Sequence, residues 1–190
     1  KLIQETLDSG KQALFLLPEI ALTTQIISRL QNYFGNQISV FHSKYSMNER
    51  VEVWNNVLEN KPKAQIILGA RSSIFLPFNN LGIVVVDEEH ETSYKQFEPS
   101  PRYNARDAAI VLSHLHQGKI LLGSATPSLE TYFNASENKY GLVELNRRFG
   151  DVKLPKIELV DIKEKQRKRE MTGHFSDTLL KQIQEELEEN

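Results

Sequence analysis

Cysteine is absent from all 190 residues, so no disulfide and no thiolate zinc site can form here, and a reducing cytosol suits such a chain. No apolar run is long enough to cross a bilayer. The opening Lys1-Leu2-Ile3-Gln4-Glu5 turns polar too early for a secretory signal. Strong charge of either sign is missing too. A formal net charge of −2 argues against a free-standing basic nucleic-acid binder, but not against a cleft that meets a backbone through a few groups. No Gly-x-x-x-x-Gly-Lys-Ser/Thr string occurs, so these residues supply no phosphate cradle of that type. Internal repeats are also absent.

What is present is globular: 39% hydrophobic and 25% charged residues. The length allows one sizeable core with some chain to spare, but not two complete domains of ordinary size. The first residues read as the middle of a helix and lack an initiating Met, which fits a fragment of a longer protein.

Apolar runs alternate with amphipathic stretches. Leu2, Ile3 and Leu7 stand at helical spacing, stopped by Gly10. Ala13-Leu14-Phe15-Leu16-Leu17 is wholly apolar and ends at Pro18, as a strand covered on both faces does. Leu22, Ile26, Leu30 and Phe34 mark a helix face. Ile38 to Phe41 reads as a second strand, then Met47, Val51, Trp54 and Leu58 as a helical stripe. Ile66-Ile67-Leu68 and Ile83-Val84-Val85-Val86 are the third and fourth strands. Ala105, Ala108, Leu112 and Leu115 mark a helix before a fifth strand, Ile120-Leu121-Leu122. Thr126-Pro127 reads as the start of another helix, with Thr126 as its cap. This alternation predicts an α/β fold with a mostly parallel sheet and helices on both faces. Ligands then bind beyond the carboxyl ends of the strands.

The character changes near Gly150. Asp151 to Pro155 reads as a connector, Ile157-Glu158-Leu159-Val160 as a strand, and 163–170 as a charged run. Leu179, Ile183 and Leu187 mark a last helix.

Asp87-Glu88-Glu89-His90 follows directly on the fourth strand. A carboxylate there can hold Mg²⁺ through water beside a nucleotide's phosphates. Its neighbour can polarise the attacking water, the division of labour that phosphoryl transfer needs. Asp87 suits the first role and Glu88 the second. The plainer alternative is that Asp87 caps a turn and the glutamates form a solvated face. Gly123-Ser124-Ala125-Thr126-Pro127-Ser128 follows the fifth strand, where hydroxyls at a strand-to-helix turn can reach an acidic neighbour.

Other strand ends offer groups for a nucleic-acid backbone. Thr23 and Thr24 lie at a helix start after the first strand, where hydroxyls and amides can meet phosphates; an ordinary helix start explains them equally well. Arg71, Ser72 and Ser73 follow the third strand, and His42 the second. The stretch 92–103 holds three aromatics (Tyr94, Phe97, Tyr103), two cations (Lys95, Arg102) and two prolines. Bases can stack on such rings while the cations meet phosphates. Alternatively, the rings pin the loop to the core.

Asp-Glu-x-His at 87–90 resembles motif II of helicase superfamily 2, and Gly123-Ser124-Ala125-Thr126 resembles its motif III. Leu17 to Gln25 and Gly69 to Ser73 resemble motifs Ia and Ib. Ser93-Tyr94-Lys95-Gln96 followed by Pro101-Arg102-Tyr103-Asn104-Ala105-Arg106-Asp107 is similar to the aromatic-rich loop of the replication-restart helicases within that superfamily. The likeness runs from Ala13 to about Asp161. It implies a RecA-like three-layer lobe over 1–150 without its upstream phosphate-binding loop, and an interlobe linker with the start of a second lobe over 151–190. It implies Asp87, Glu88, His90, Ser124 and Thr126 as catalytic residues. Asp87 and Glu88 would meet ATP, with Asp87 on Mg²⁺ through water. It implies Thr23, Thr24, Arg71, Ser72, Ser73, Tyr94, Lys95, Phe97, Arg102 and Tyr103 as DNA contacts. Zinc is expected only in a second-lobe region outside this chain.

For the intact protein the resemblance implies an ATP-dependent 3′–5′ DNA helicase. It would act in replication restart and primosome assembly, in a bacterial cytoplasm at the nucleoid and with no membrane association. Single-stranded and forked DNA, primosome proteins and single-strand-binding proteins would be its partners. A RecG- or RecQ-like translocase, or a non-catalytic docking lobe of a primosome protein, are the alternatives. Lacking a phosphate loop, the isolated chain is expected to hydrolyse no ATP. Turnover by the purified chain with single-stranded DNA present would contradict that.

Overall fold

The computed structural model describes residues 1–43, 45–146 and 157–189. They divide into a first unit, Lys1–Leu142, and a second that begins at Val143.

Apolar side chains that point both ways demand cover on both faces of a strand. The run 12–16 finds it as β1 (Gln12–Leu16), the central strand of a five-stranded sheet. Its neighbours are β2 (Ile38–Phe41), β3 (Ile66–Gly69), β4 (Leu81–Val86) and β5 (Lys119–Leu122), in the order β2-β3-β1-β4-β5. Every pairing is parallel. On one face α1 (Leu2–Asp8) and α2 (Thr24–Phe34) cover Ala13, Ile66, Leu68 and Ile83. On the other, α3 (Met47–Leu58) and α4 (Ala105–Leu115) cover Leu14, Leu16, Ile67, Val84 and Val86. This is the expected α/β fold, a parallel sheet with helices on both faces. The strand order reverses between β1 and β4, which puts the ligand-binding crevice at their carboxyl ends.

Several local readings shift. The stripe Met47, Val51, Trp54 and Leu58 marks α3 correctly but is exposed; Val53, Asn56 and Val57 are the buried residues. Two apolar stripes share this helix, and the smaller valines approach the sheet. On α2, Ile27 joins Leu30 and Phe34 in the core cluster. The helix α5 (Leu129–Ser136) starts later than expected, capped by Ser128 rather than Thr126. The Ser128 hydroxyl accepts the Thr131 amide at 3.3 Å, while Pro127 stands before the cap.

In the second unit, the charged run forms α6 (Ile162–Arg167), capped by Asp161. A small antiparallel pair, β6 (Met171–Thr172) and β7 (Phe175–Ser176), turns at Gly173 with φ +62, and α7 (Asp177–Glu189) follows. Lys165 bridges Glu170 and Asp177, each at 2.9 Å. The expected strand at 157–160 finds no ladder; Ile157 and Leu159 are exposed. The expected connector Asp151 to Pro155 lies outside the described residues.

Gln12 is a fully buried polar side chain at the start of the central strand. Its amide nitrogen donates to the Val57 and Ala64 carbonyls at 3.2 and 3.4 Å. Its oxygen accepts the Asn79 and Asn80 amides at 3.3 and 3.5 Å. Gln12→Met keeps the volume and removes these bonds. The expected result is a stability loss of roughly 2 kcal/mol, read as a lower urea midpoint at unchanged slope. An unchanged midpoint would contradict the assignment.

Candidate nucleotide and nucleic-acid site

The two acids emerge where the parallel ladder ends. The Asp87 amide donates to the Leu16 carbonyl at 3.0 Å, and the Gly123 amide to the Val86 carbonyl at 2.8 Å. Both acids therefore sit at the carboxyl rim, partly exposed, between the ends of β1 and β5. Glu88 takes φ 47, a left-handed conformation that costs a non-glycine residue about 1–2 kcal/mol. The surroundings fix it: its amide donates to Asp87 Oδ1 at 3.1 Å, and the next amide, of Glu89, to the Gly123 carbonyl at 3.0 Å. Held strain of this kind concentrates at functional sites.

His90 and Ser124 join the two rim segments. His90 Nδ1 lies 2.7 Å from the Ser124 hydroxyl and 3.6 Å from the Glu88 carboxylate. Ser124 Oγ also accepts the Thr126 amide at 3.0 Å. The residues expected around the nucleotide (Asp87, Glu88, His90, Ser124 and Thr126) thus share one neighbourhood. Among the described residues no group of three or more His, Cys, Asp or Glu could hold a metal ion. A lone carboxylate such as Asp87 suits Mg²⁺, which keeps most of its water shell.

Glu89, not singled out from the sequence, is the buried acid of the string at 2% exposure. Its carboxylate accepts the Ser128 amide at 2.7 Å, the Thr131 hydroxyl at 2.9 Å, and Arg106 Nη1 and the Ser128 hydroxyl at 3.2 Å each. Burial pushes its carboxyl upward, but these donors together hold it below the ordinary glutamate value. The one available signal was an arginine on an otherwise Ala-rich helix start, Ala105-Arg106-Asp107-Ala108-Ala109.

The aromatic loop is built in layers. Lys95 pairs with Asn104 in an antiparallel bridge, and the Gln96 amide donates to the Tyr103 carbonyl at 2.9 Å. Arg71 Nη1 donates to the Lys95 carbonyl at 3.0 Å, so the third strand's cation braces the loop. Lys95 Nζ rests on the Arg102 carbonyl at 3.1 Å. Leu17, Pro18, Arg71, Ser93, Lys95 and Phe97 line a cleft of about 260 Å³. Phe97 and Arg102 are exposed, and Tyr103 meets Phe75 edge-on at 4.9 Å.

Two expected DNA contacts need correction. Tyr94 is 1% exposed, and its hydroxyl donates to the Asp87 carbonyl at 2.7 Å, so no ring face is open to a base. Burial, then the charges of Asp87, Glu88 and Glu91, push its phenol far up, which keeps the proton on this donor. Ser73 is fully buried and donates to the Phe41 carbonyl at 3.2 Å. Ser72 is half-buried, Thr24 is exposed, and Thr23 caps α2 by accepting the Ile26 amide at 3.4 Å. His42 is half-buried and its ring packs on Tyr45 at 4.2 Å.

Residues 1–134 match the family model described as DEAD/DEAH box helicase. The chain belongs to the DEAD/DEAH box helicase family. Among its relatives is the Replication restart protein PriA of Bacillus subtilis, 40% identical over 183 residues, 96% of this chain and 22% of the relative. The protein of the same name from Rickettsia felis is 45% identical over 188 residues, 98% of this chain and 28% of the relative. That from Chlamydia trachomatis is 40% identical over 179 residues, 94% of this chain and 24% of the relative. The chain thus spans about a quarter of the length of the curated relatives it matches.

The loop geometry of this family member separates its aromatics by role. Tyr94→Phe strips the Asp87 carbonyl of its side-chain donor and is expected to cost about 1 kcal/mol of stability. Phe97→Ala, at an exposed ring, is expected to stay within about 0.5 kcal/mol of the parent. Urea unfolding of both variants checks this, and equal losses would contradict it.

Proposed function

We propose that this chain is the acid-bearing part of the first motor lobe of an ATP-dependent 3′–5′ DNA helicase. The intact protein translocates on single-stranded DNA in replication restart and primosome assembly. The observation that carries the proposal is the pinned turn at the end of β4. Two partly exposed acids stand at the carboxyl rim, and His90 and Ser124 tie their turn to the loop after β5.

In this reading Glu88 orients the water that attacks the γ-phosphorus and takes up its proton. Asp87 would hold Mg²⁺ through water; the ion supplies charge neutralisation at the phosphates. The left-handed backbone at Glu88 keeps the carboxylate's origin fixed, so little reorganisation is needed when substrate arrives. His90 and Ser124 then report the state of the acidic turn to the segment entering α5. The cleft beside Arg71, Lys95 and Phe97 suits a single strand: cations for phosphates and an exposed ring for a base. The relatives' name, Replication restart protein PriA, supports the biological setting.

The test is Glu88→Gln in the full-length protein. This swap preserves shape and removes the base. DNA-stimulated ATP hydrolysis is expected to fall at least about 100-fold, and unwinding to stop. Unwinding near the parent rate would contradict the role given to Glu88.

A further inference from the structure

Glu89 stands beside the two acids given chemical roles, but its partners lie elsewhere. Its carboxylate joins three separate segments: its own turn, the start of α4 through Arg106, and the start of α5 through Ser128 and Thr131. Each segment leads directly to a part of the proposed motor. Glu89 adjoins Glu88. Ser128 lies two residues beyond Thr126, in the segment that reaches His90 through Ser124. Arg106 lies two residues beyond Asn104, which closes the aromatic loop against Lys95 and accepts the Arg106 amide at 3.0 Å.

The burial of this junction makes it stiff. The Glu89 side chain is 1% exposed and that of Arg106 12%. Arg106 is occupied on two sides, with Nε on Asp107 at 2.8 Å and Nη1 on Ser128 Oγ at 2.7 Å. The carboxylate also meets the free amide at the N-terminus of α5, where negative charge is favoured. A buried pair satisfied in this way resists small displacements, because removing one partner leaves a charge in a poor medium. The junction thus ties the segment at Asn104 to the turn at Glu88 and to the start of α5.

Resting on the helicase reading above, we propose that Glu89, with Arg106 and Ser128, is a positioning group. It carries the engagement of single-stranded DNA at the aromatic loop to the Glu88 turn and the Ser124–Thr126 segment. It touches neither nucleotide nor DNA. It sets the placement of the groups that do.

The experiment uses the full-length protein with Glu89→Gln, Arg106→Gln and the double variant. Two quantities are measured: kcat of ATP hydrolysis at saturating single-stranded DNA, and DNA affinity by fluorescence anisotropy. Each single variant is expected to lose about tenfold in DNA-stimulated kcat, a typical inter-site coupling, with Kd for DNA within about twofold of the parent. The double variant is expected to match the singles, because both remove one connection. A merely structural role would lower Tm but leave stimulated kcat in place, and that result overturns the proposal. Multiplying losses in the double variant, or a Kd that rises in step with the fall in kcat, also overturn it. Should Glu89→Gln fail to fold, Ser128→Ala decides, since it removes the hydroxyl that meets Arg106 and Glu89 and caps α5 but keeps the backbone amide on Glu89. Partial loss of stimulation supports the proposal and full parental stimulation overturns it. A parent protein with no DNA stimulation overturns the helicase reading and the positioning role together; a stimulated parent with unaltered variants overturns the positioning role alone.

Discussion

The Asp87 amide donates to Leu16 on one side of β4, and the Gly123 amide donates to Val86 on the other, so the parallel ladder runs to the last residue before the acids. Everything at the rim depends on those two bonds. They place the start of the acidic turn between the buried end of β1 and the partly exposed end of β5, held by backbone bonds on both sides. The Glu89 amide then reaches the Gly123 carbonyl and forces Glu88 into its left-handed conformation. Tyr94 closes the turn from behind by bonding the Asp87 carbonyl. The site is rigid because backbone groups, rather than flexible side chains, define it.

Consecutive acids consequently have divergent surroundings. Glu88 has a half-exposed side chain and faces His90. Glu89 is buried in a ring of donors. The strand ends at Val86 and the left-handed backbone at Glu88 breaks its alternation, so the two neighbouring carboxylates meet different surroundings. One carboxylate is available to a substrate and the other organises the fold around it.

Much of this was legible in the chain itself. Parallel strands buried on both faces read as short apolar runs, as β1, β3 and β4 do; β5 carries a similar run although it is half-exposed. The grouping of Asp87, Glu88, His90 and Ser124 follows once those strands are placed side by side, because all four residues stand at carboxyl ends. What escaped depends on contacts between residues distant in sequence. Tyr94 and Phe97 belong to the same aromatic loop, but only the distance to the Asp87 carbonyl makes one a core anchor and leaves the other exposed. Ser73 looks like a phosphate donor until Gly69 is seen to let it press against β2; a Cβ at Gly69 would lie 1.8 Å from the Ser73 hydroxyl. The buried face of α3 was ambiguous because Met47-Val51-Trp54 and Val53-Val57 both keep helical spacing. Glu89 could not be told from its neighbours, since its partners Arg106 and Ser128 come from later helices.

The central claim is that a triphosphate and its divalent ion lodge against the end of β4. Paramagnetic broadening of backbone amide signals tests it most directly, using the full-length protein with a non-hydrolysable ATP analogue and Mn²⁺ in place of Mg²⁺. Broadening is expected at Asp87, Glu88, Gly123 and Ser124, with Gly10, Asn80 and Gly118 at the opposite ends of the strands left sharp. Broadening at those opposite ends, with the Asp87 turn unaffected, would contradict it.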